Sequence, residues 1–179
     1  MNGNTVIALS KTKILLLIAG ALGFVLLGYW MVQLGPAEAG PQPWFSSLSL
    51  VHGIGMISII FFGACFGAAL KKLIDKTPGL VLDSSGLHDN SSGISAGFVP
   101  WSDITGFGVW ELDGQQILVV KVLDPQKYIA RGGLIGRQLK RANLKLTGSS
   151  VTISATALKI DFAELSSLCE AYLLKYGAV

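Results

Sequence analysis

Residues Ile14–Leu34 read ILLLIAGALGFVLLGYWMVQL, and residues Leu48–Leu70 read LSLVHGIGMISIIFFGACFGAAL. Neither stretch carries a charge, and between Ile14 and Leu70 the sole formally charged residue is Glu38. As a helix rising 1.5 Å per residue, each is long enough to cross the roughly 30 Å of bilayer hydrocarbon. A charge buried in lipid is costly, so its absence over such lengths is what a membrane span requires. The reading predicts a transmembrane hairpin, with 14–34 as the first helix, 35–47 as the connecting loop and 48–70 as the second helix.

The lysines give an orientation. Lys11 and Lys13 precede the first helix, Lys71, Lys72 and Lys76 follow the second, and the loop has neither Lys nor Arg. By the positive-inside rule, residues 1–13 and 71–179 are expected in the cytoplasm and the loop outside. Tyr29, Trp30, Trp44 and Phe45 fall near the outer ends, where amphipathic rings favour the interface. Lys11 and Lys13, an apolar run and then Ala37-Glu38-Ala39 also resemble a secretory signal with its cleavage site. The apolar run is longer than a signal normally carries, which favours a retained helix.

Small residues suggest how the helices meet. Gly63 and Gly67 form a G-x-x-x-G pair, and Ala19 and Gly23 are a small-residue counterpart on the first helix. His52 sits in the outer part of the second helix without a charged partner in either helix, so a neutral interfacial role is expected.

Residues 71–179 have the composition of an ordinary soluble domain, enough for one modest core. The net charge of +3 is too mild to suggest nucleic-acid binding. Cys65 lies in a membrane segment and Cys169 in the domain, so a disulfide between them is not expected.

Strands are expected at Leu80–Asp83, Gly86–Asn90, Gly97–Trp101, Ile104–Leu112, Gln115–Leu123 and Val151–Ala155, with Asp113-Gly114 as a hairpin turn. Asp124-Pro125 begins a short helix, Leu134–Lys145 is a second, and Asp161 caps a third over Phe162–Tyr176. In the last, Phe162, Leu165, Leu168, Cys169, Tyr172 and Leu173 share one face. The predicted fold class is therefore α+β: a two-helix transmembrane hairpin followed by a PH-like antiparallel β-barrel or sheet domain with a C-terminal helix. Trp101 is expected to bury its indole against that helix, and Asp103 to make a turn bond.

Lys71-Lys72-Leu73, Pro78-Gly79-Leu80, the run Gly86–Gly93, Pro100–Ile104, Ala142–Lys145 and Ile153-Ser154-Ala155 together resemble a small family of uncharacterised bacterial two-pass inner-membrane proteins with a cytoplasmic PH-like domain. The resemblance covers nearly the whole chain and departs at Gly148-Ser149-Ser150, where a proline is expected in the turn. It implies an architecture and a location in the bacterial inner membrane, with the loop periplasmic. It implies no reaction.

Nor do the residues assemble one. His88-Asp89 lies beside serines without a nucleophile elbow, and Asn90-Ser91-Ser92-Gly93 reads as a turn. No Cys/His cluster has metal spacing, and the Gly106/Gly108 and Gly132/Gly133/Gly136 stretches lack the lysine and strand context of a phosphate loop. The chain is expected to be no enzyme and to carry no cofactor or metal. One charge feature stands out: Lys127, Arg131, Arg137, Lys140, Arg141 and Lys145 fall between Asp124 and Asp161 with no acidic residue interspersed. They form a candidate basic face for anionic lipid or an acidic protein partner, with a merely solvated face as the plainer alternative.

The expected function is that of a non-enzymatic inner-membrane binding protein. Its concrete form is an immunity protein that protects the cell from a membrane-acting, pore-forming toxin. The alternative is a membrane tether or regulator whose domain binds a cytoplasmic partner or anionic lipid. Homo-oligomers are compatible with either.

Overall fold

The computed structural model describes residues 3–35 and 48–177. Trp44, Phe45, the Ala37-Glu38-Ala39 site and nearly all of the predicted loop lie outside them. The chain divides into two compact units.

The first unit is the hairpin of α1 (Lys11–Gln33) and α2 (Leu48–Ile74), both long and apolar enough to cross a membrane. Its outward side chains, among them Leu16, Leu26, Ile57, Ile60 and Phe61, are exposed. A helix apolar on every side is the pattern of a membrane span or of a buried core helix, and these two leave most of that surface exposed. The helices meet through glycine. A Cβ added to Gly28 would lie 2.8 Å from the Gly55 carbonyl oxygen, and one added to Gly55 would lie 2.7 Å from that of Gly28. Ser58 Oγ donates to the Phe24 carbonyl at 3.1 Å, and Phe24 stacks on Phe62 at 4.3 Å. This corrects the expected packing: Gly23, Gly63 and Gly67 have open space where a Cβ would stand, and Ala19 is exposed. The G-x-x-x-G spacing is present, but those glycines are on faces turned away from the partner helix. His52 Nε2 lies 3.0 Å from the Leu34 carbonyl oxygen, joining the loop ends of α1 and α2.

The second unit contains residues 3–10 and 76–177. It begins with a strand inside residues 1–13, for which the sequence predicts a cytoplasmic N-terminus and no strand. β1 (Thr5–Ile7) pairs antiparallel with β2 (Leu80–Leu82), Thr5 opposite Leu82 and Ile7 opposite Leu80. β3 (Gly86–Asp89) and β4 (Gly97–Pro100) complete a four-stranded meander. After a 3-10 turn at Trp101–Asp103, β5 (Ile104–Leu112), β6 (Gln115–Val122) and β7 (Val151–Ser154) form a three-stranded antiparallel sheet. The β5–β6 turn has positive φ at Asp113 (48°) and Gly114 (74°), matching the twist of a two-residue hairpin.

Three helices complete the domain. α3 (Pro125–Ala130) is capped by Asp124, which accepts from the Gln126 and Lys127 amides. α4 (Leu134–Thr147) ends on Gly148, whose φ of 79° closes the helix in the left-handed region. The loop where the resemblance departs has its own anchors: Ser149 Oγ donates to the Val120 carbonyl at 2.5 Å and Ser150 Oγ to that of Pro125 at 2.9 Å. α5 (Phe162–Tyr176), capped by Asp161, packs on β5 and β6 and buries Leu165 and Cys169. Leu80, Leu82, Leu87, Val99, Leu118, Val120 and Ile153 fill the core, each contributing about 1.5–3 kcal/mol by leaving water. Trp101 is buried as expected, with its ring 6.0 Å from Tyr172 of α5 and Nε1 donating to the Asp83 carbonyl at 2.8 Å. Both cysteines are free.

Candidate functional site

The six predicted basic residues do not form one surface. Three converge on Tyr128, a fully buried residue of α3. Lys127 Nζ and the Tyr128 hydroxyl both donate to Asp103 Oδ2, at 2.5 and 2.6 Å. Arg131 lies with its guanidinium carbon 4.6 Å from the Tyr128 ring centre and donates to the Phe98 carbonyl at 2.5 Å, joining α3 to β4. Lys140, on α4, is only 2% exposed, and its ammonium donates to the Tyr128 carbonyl at 3.1 Å. Arg137 folds back from α4 to donate to the carbonyls of Gly132 (2.8 Å) and Ala130 (3.1 Å), satisfying acceptors left over at the end of α3. Lys127 and Arg131 thus tie α3 to the 3-10 turn and to β4, and Lys140 and Arg137 tie α4 to α3 and the loop after it. The expected turn bond of Asp103 is replaced by this arrangement.

The electrostatics follow from those contacts. The hydrogen bond from Lys127, then that from Tyr128, holds the Asp103 carboxyl below its ordinary range. Burial, then the Asp103 hydrogen bond, raises the Tyr128 hydroxyl. Desolvation lowers Lys140, partly opposed by the charge of Asp89.

Arg141 and Lys145 remain, both exposed on α4. They border a feature that the sequence reading passed over. Ile135, Leu139, Ala142 and Leu146 follow at spacings of four, three and four, which places them on one helical face. That face points away from the domain: Leu134 is 85% exposed, Ile135 78%, Leu139 45% and Leu146 66%. The neighbouring side attaches α4 through polar groups, with Lys140 on Tyr128 and Asn143 Nδ2 donating to Thr152 Oγ1 at 3.1 Å. The usual arrangement of a surface helix is inverted. The apolar spacing was visible in the sequence, but periodicity alone does not say which face meets the core.

A second feature is an open groove of about 530 Å³ over the four-stranded sheet, lined by Thr77, Val81, Asp83, His88, Asn90 and Phe98 among others. The His88 ring lies tilted by 34° against Phe98, centre to centre 4.5 Å, and its Nε2 is 3.4 Å from Asp83 Oδ2. Asp83 already accepts from the Ser85 amide and hydroxyl and the Gly86 amide, and Asn90 donates to Thr77 and to the Pro78 carbonyl. Asp89, beside them, is occupied by Ser91 and by the Ala96 amide. The polar groups of the groove thus serve its own turns. Among the described residues, no group of three or more His, Cys, Asp or Glu is placed to hold a metal ion.

The chain matches no family model, no curated protein and no solved structure.

Proposed function

We propose that this protein is a two-pass inner-membrane protein whose PH-like domain lies on the cytoplasmic side and acts as a non-enzymatic binding module. The observation that carries the reading is the pairing of β1 with β2. Residues before α1 and after α2 belong to one sheet, so a membrane crossed by these helices must be crossed an even number of times. Lys11, Lys13, Lys71, Lys72 and Lys76 flank the helices at those same ends, which favours the cytoplasmic face. Cleavage after Ala39 would strip β1 from its sheet, so the pairing also favours retention of the first helix. Two antiparallel sheets of four and three strands with a C-terminal helix support the PH-like reading.

The test is topological. A reporter active only in the cytoplasm should work at the C-terminus and fail within residues 36–47, and alkaline carbonate should leave the protein in the membrane. An external C-terminus, or release by carbonate, would overturn the reading. The immunity version has a genetic test: deletion should cost the cell its protection in competition with toxin-producing sister cells.

A further inference from the structure

Helix α4 holds itself to the domain by hydrogen bonds and turns its leucines and isoleucine outward. Three rows lie around its axis. Lys140, Asn143 and Thr147 face the domain, Ile135, Leu139, Ala142 and Leu146 form the apolar row beside them, and Arg141 and Lys145 border that row on its far side. An apolar stripe edged by cations is the pattern of a helix lying in a membrane interface. Long basic side chains at its rim can reach headgroups while their stems cover apolar surface.

We propose that α4 lies in the headgroup region of an anionic leaflet, with Ile135, Leu139 and Leu146 entering the acyl boundary and Arg141 and Lys145 pairing with lipid phosphates. The proposal rests on the reading that α1 and α2 anchor the chain in the membrane. Three observations select lipid as the occupant. The domain is joined to the apolar hairpin at both Ser10 and Lys76, so the leaflet is its obligatory neighbour at high effective concentration. From Pro125 to Ile160 there is no Asp or Glu to repel an anionic surface. A second copy packed on the stripe would bring the Arg141 and Lys145 rows together without a carboxylate on α4 to answer them.

The test uses the full chain in nanodiscs, with Cys65→Ala and a spin label on Leu139→Cys. Cys169 is buried, and burial pushes its thiol up to about 12, so it escapes labelling. In discs containing phosphatidylglycerol, the label should become severalfold more accessible to oxygen and less accessible to a water-soluble nickel chelate than in phosphatidylcholine discs. A label on Ala142→Cys should behave alike. Arg141→Gln and Lys145→Gln should each weaken the lipid-bound state about fivefold, with added salt acting in the same direction. A label that stays open to nickel in anionic discs overturns the proposal. So does spin–spin broadening that persists in detergent, which would assign the stripe to a second copy. Carbonate extraction of the same samples separates the two readings: extractable protein sinks the anchoring, whereas inserted protein with a water-exposed label sinks only the docking of α4.

Discussion

Val6 pairs with Val81 across an antiparallel ladder, although both long apolar helices lie in the chain between them. The hairpin is therefore an insertion between the first two strands of the domain. Ile7 and Leu9 are buried, Leu9 forms a bridge with Leu158, and Thr5 Oγ1 lies 2.8 Å from the Tyr172 hydroxyl of α5, which also donates to the Gly3 carbonyl.

A fragment beginning at Lys76 should accordingly be a poor domain. It loses the burial of Ile7 and Leu9, together about 3–6 kcal/mol, and exposes the edge of β2. That is a large part of a typical stability of about 5–15 kcal/mol. Joining residues 3–10 to Lys76 through a flexible linker should restore a cooperative thermal transition and reduce aggregation. Equal melting temperatures for the two fragments would show that β1 is dispensable.

Gly28 and Gly55 should be the positions where the hairpin does not accept a side chain. Gly28→Leu or Gly55→Leu drives a side chain into backbone at under 3 Å, at a cost of about 1–3 kcal/mol or more. Cysteine pairs across α1 and α2 should then cross-link less efficiently in detergent. Gly23→Leu and Gly67→Leu should leave cross-linking unchanged, and a drop in these variants alone would put the interface back where the spacing motif suggested.

Asp103 should contribute to acid sensitivity. Its folded pKa is depressed, so its stabilisation is complete above the unfolded value of 3.8 and is lost as pH falls through the folded value. The group is partly solvated, so the contribution is about 1 kcal/mol. Asp103→Asn should lower stability at neutral pH and flatten its decline below about pH 4. Asp83, lowered chiefly by the Ser85 hydroxyl, adds a background slope in the same range. Parallel stability curves for wild type and Asp103→Asn would exclude the assignment.

Lys140 gives the opposite sign. Its folded pKa is lowered, so between that value and the unfolded 10.5 the unfolded chain binds more protons and stability rises with pH. Denaturant unfolding between neutral pH and pH 10 should show this rise in the wild type and lose it in Lys140→Met. A Lys140→Met protein that keeps the same rise would show that the amine titrates normally.

Most element boundaries in the domain were legible because hydrophobic alternation, Asp caps and the Asp113-Gly114 turn act within a few residues of one another. β1 was not: three β-branched or apolar residues are too short a signal, and their partner is supplied by the far side of the hairpin. The candidate site was only half legible. Arg141 and Lys145 are surface cations as expected. Lys127, Arg131 and Lys140 were absorbed by Tyr128 and its neighbours, and no charge count along the chain reveals that.

By itself, then, the sequence determined two uncharged apolar stretches of helix, an antiparallel domain after them and the ends at which lysines collect, since hydropathy and charge are properties of consecutive residues. Tertiary structure alone decided that the domain starts before the hairpin, that Gly28 meets Gly55, and that α4 turns its leucines outward. Each of these depends on which distant surface a residue meets, and a helix with two usable faces does not disclose that choice until the rest of the chain has folded against one of them.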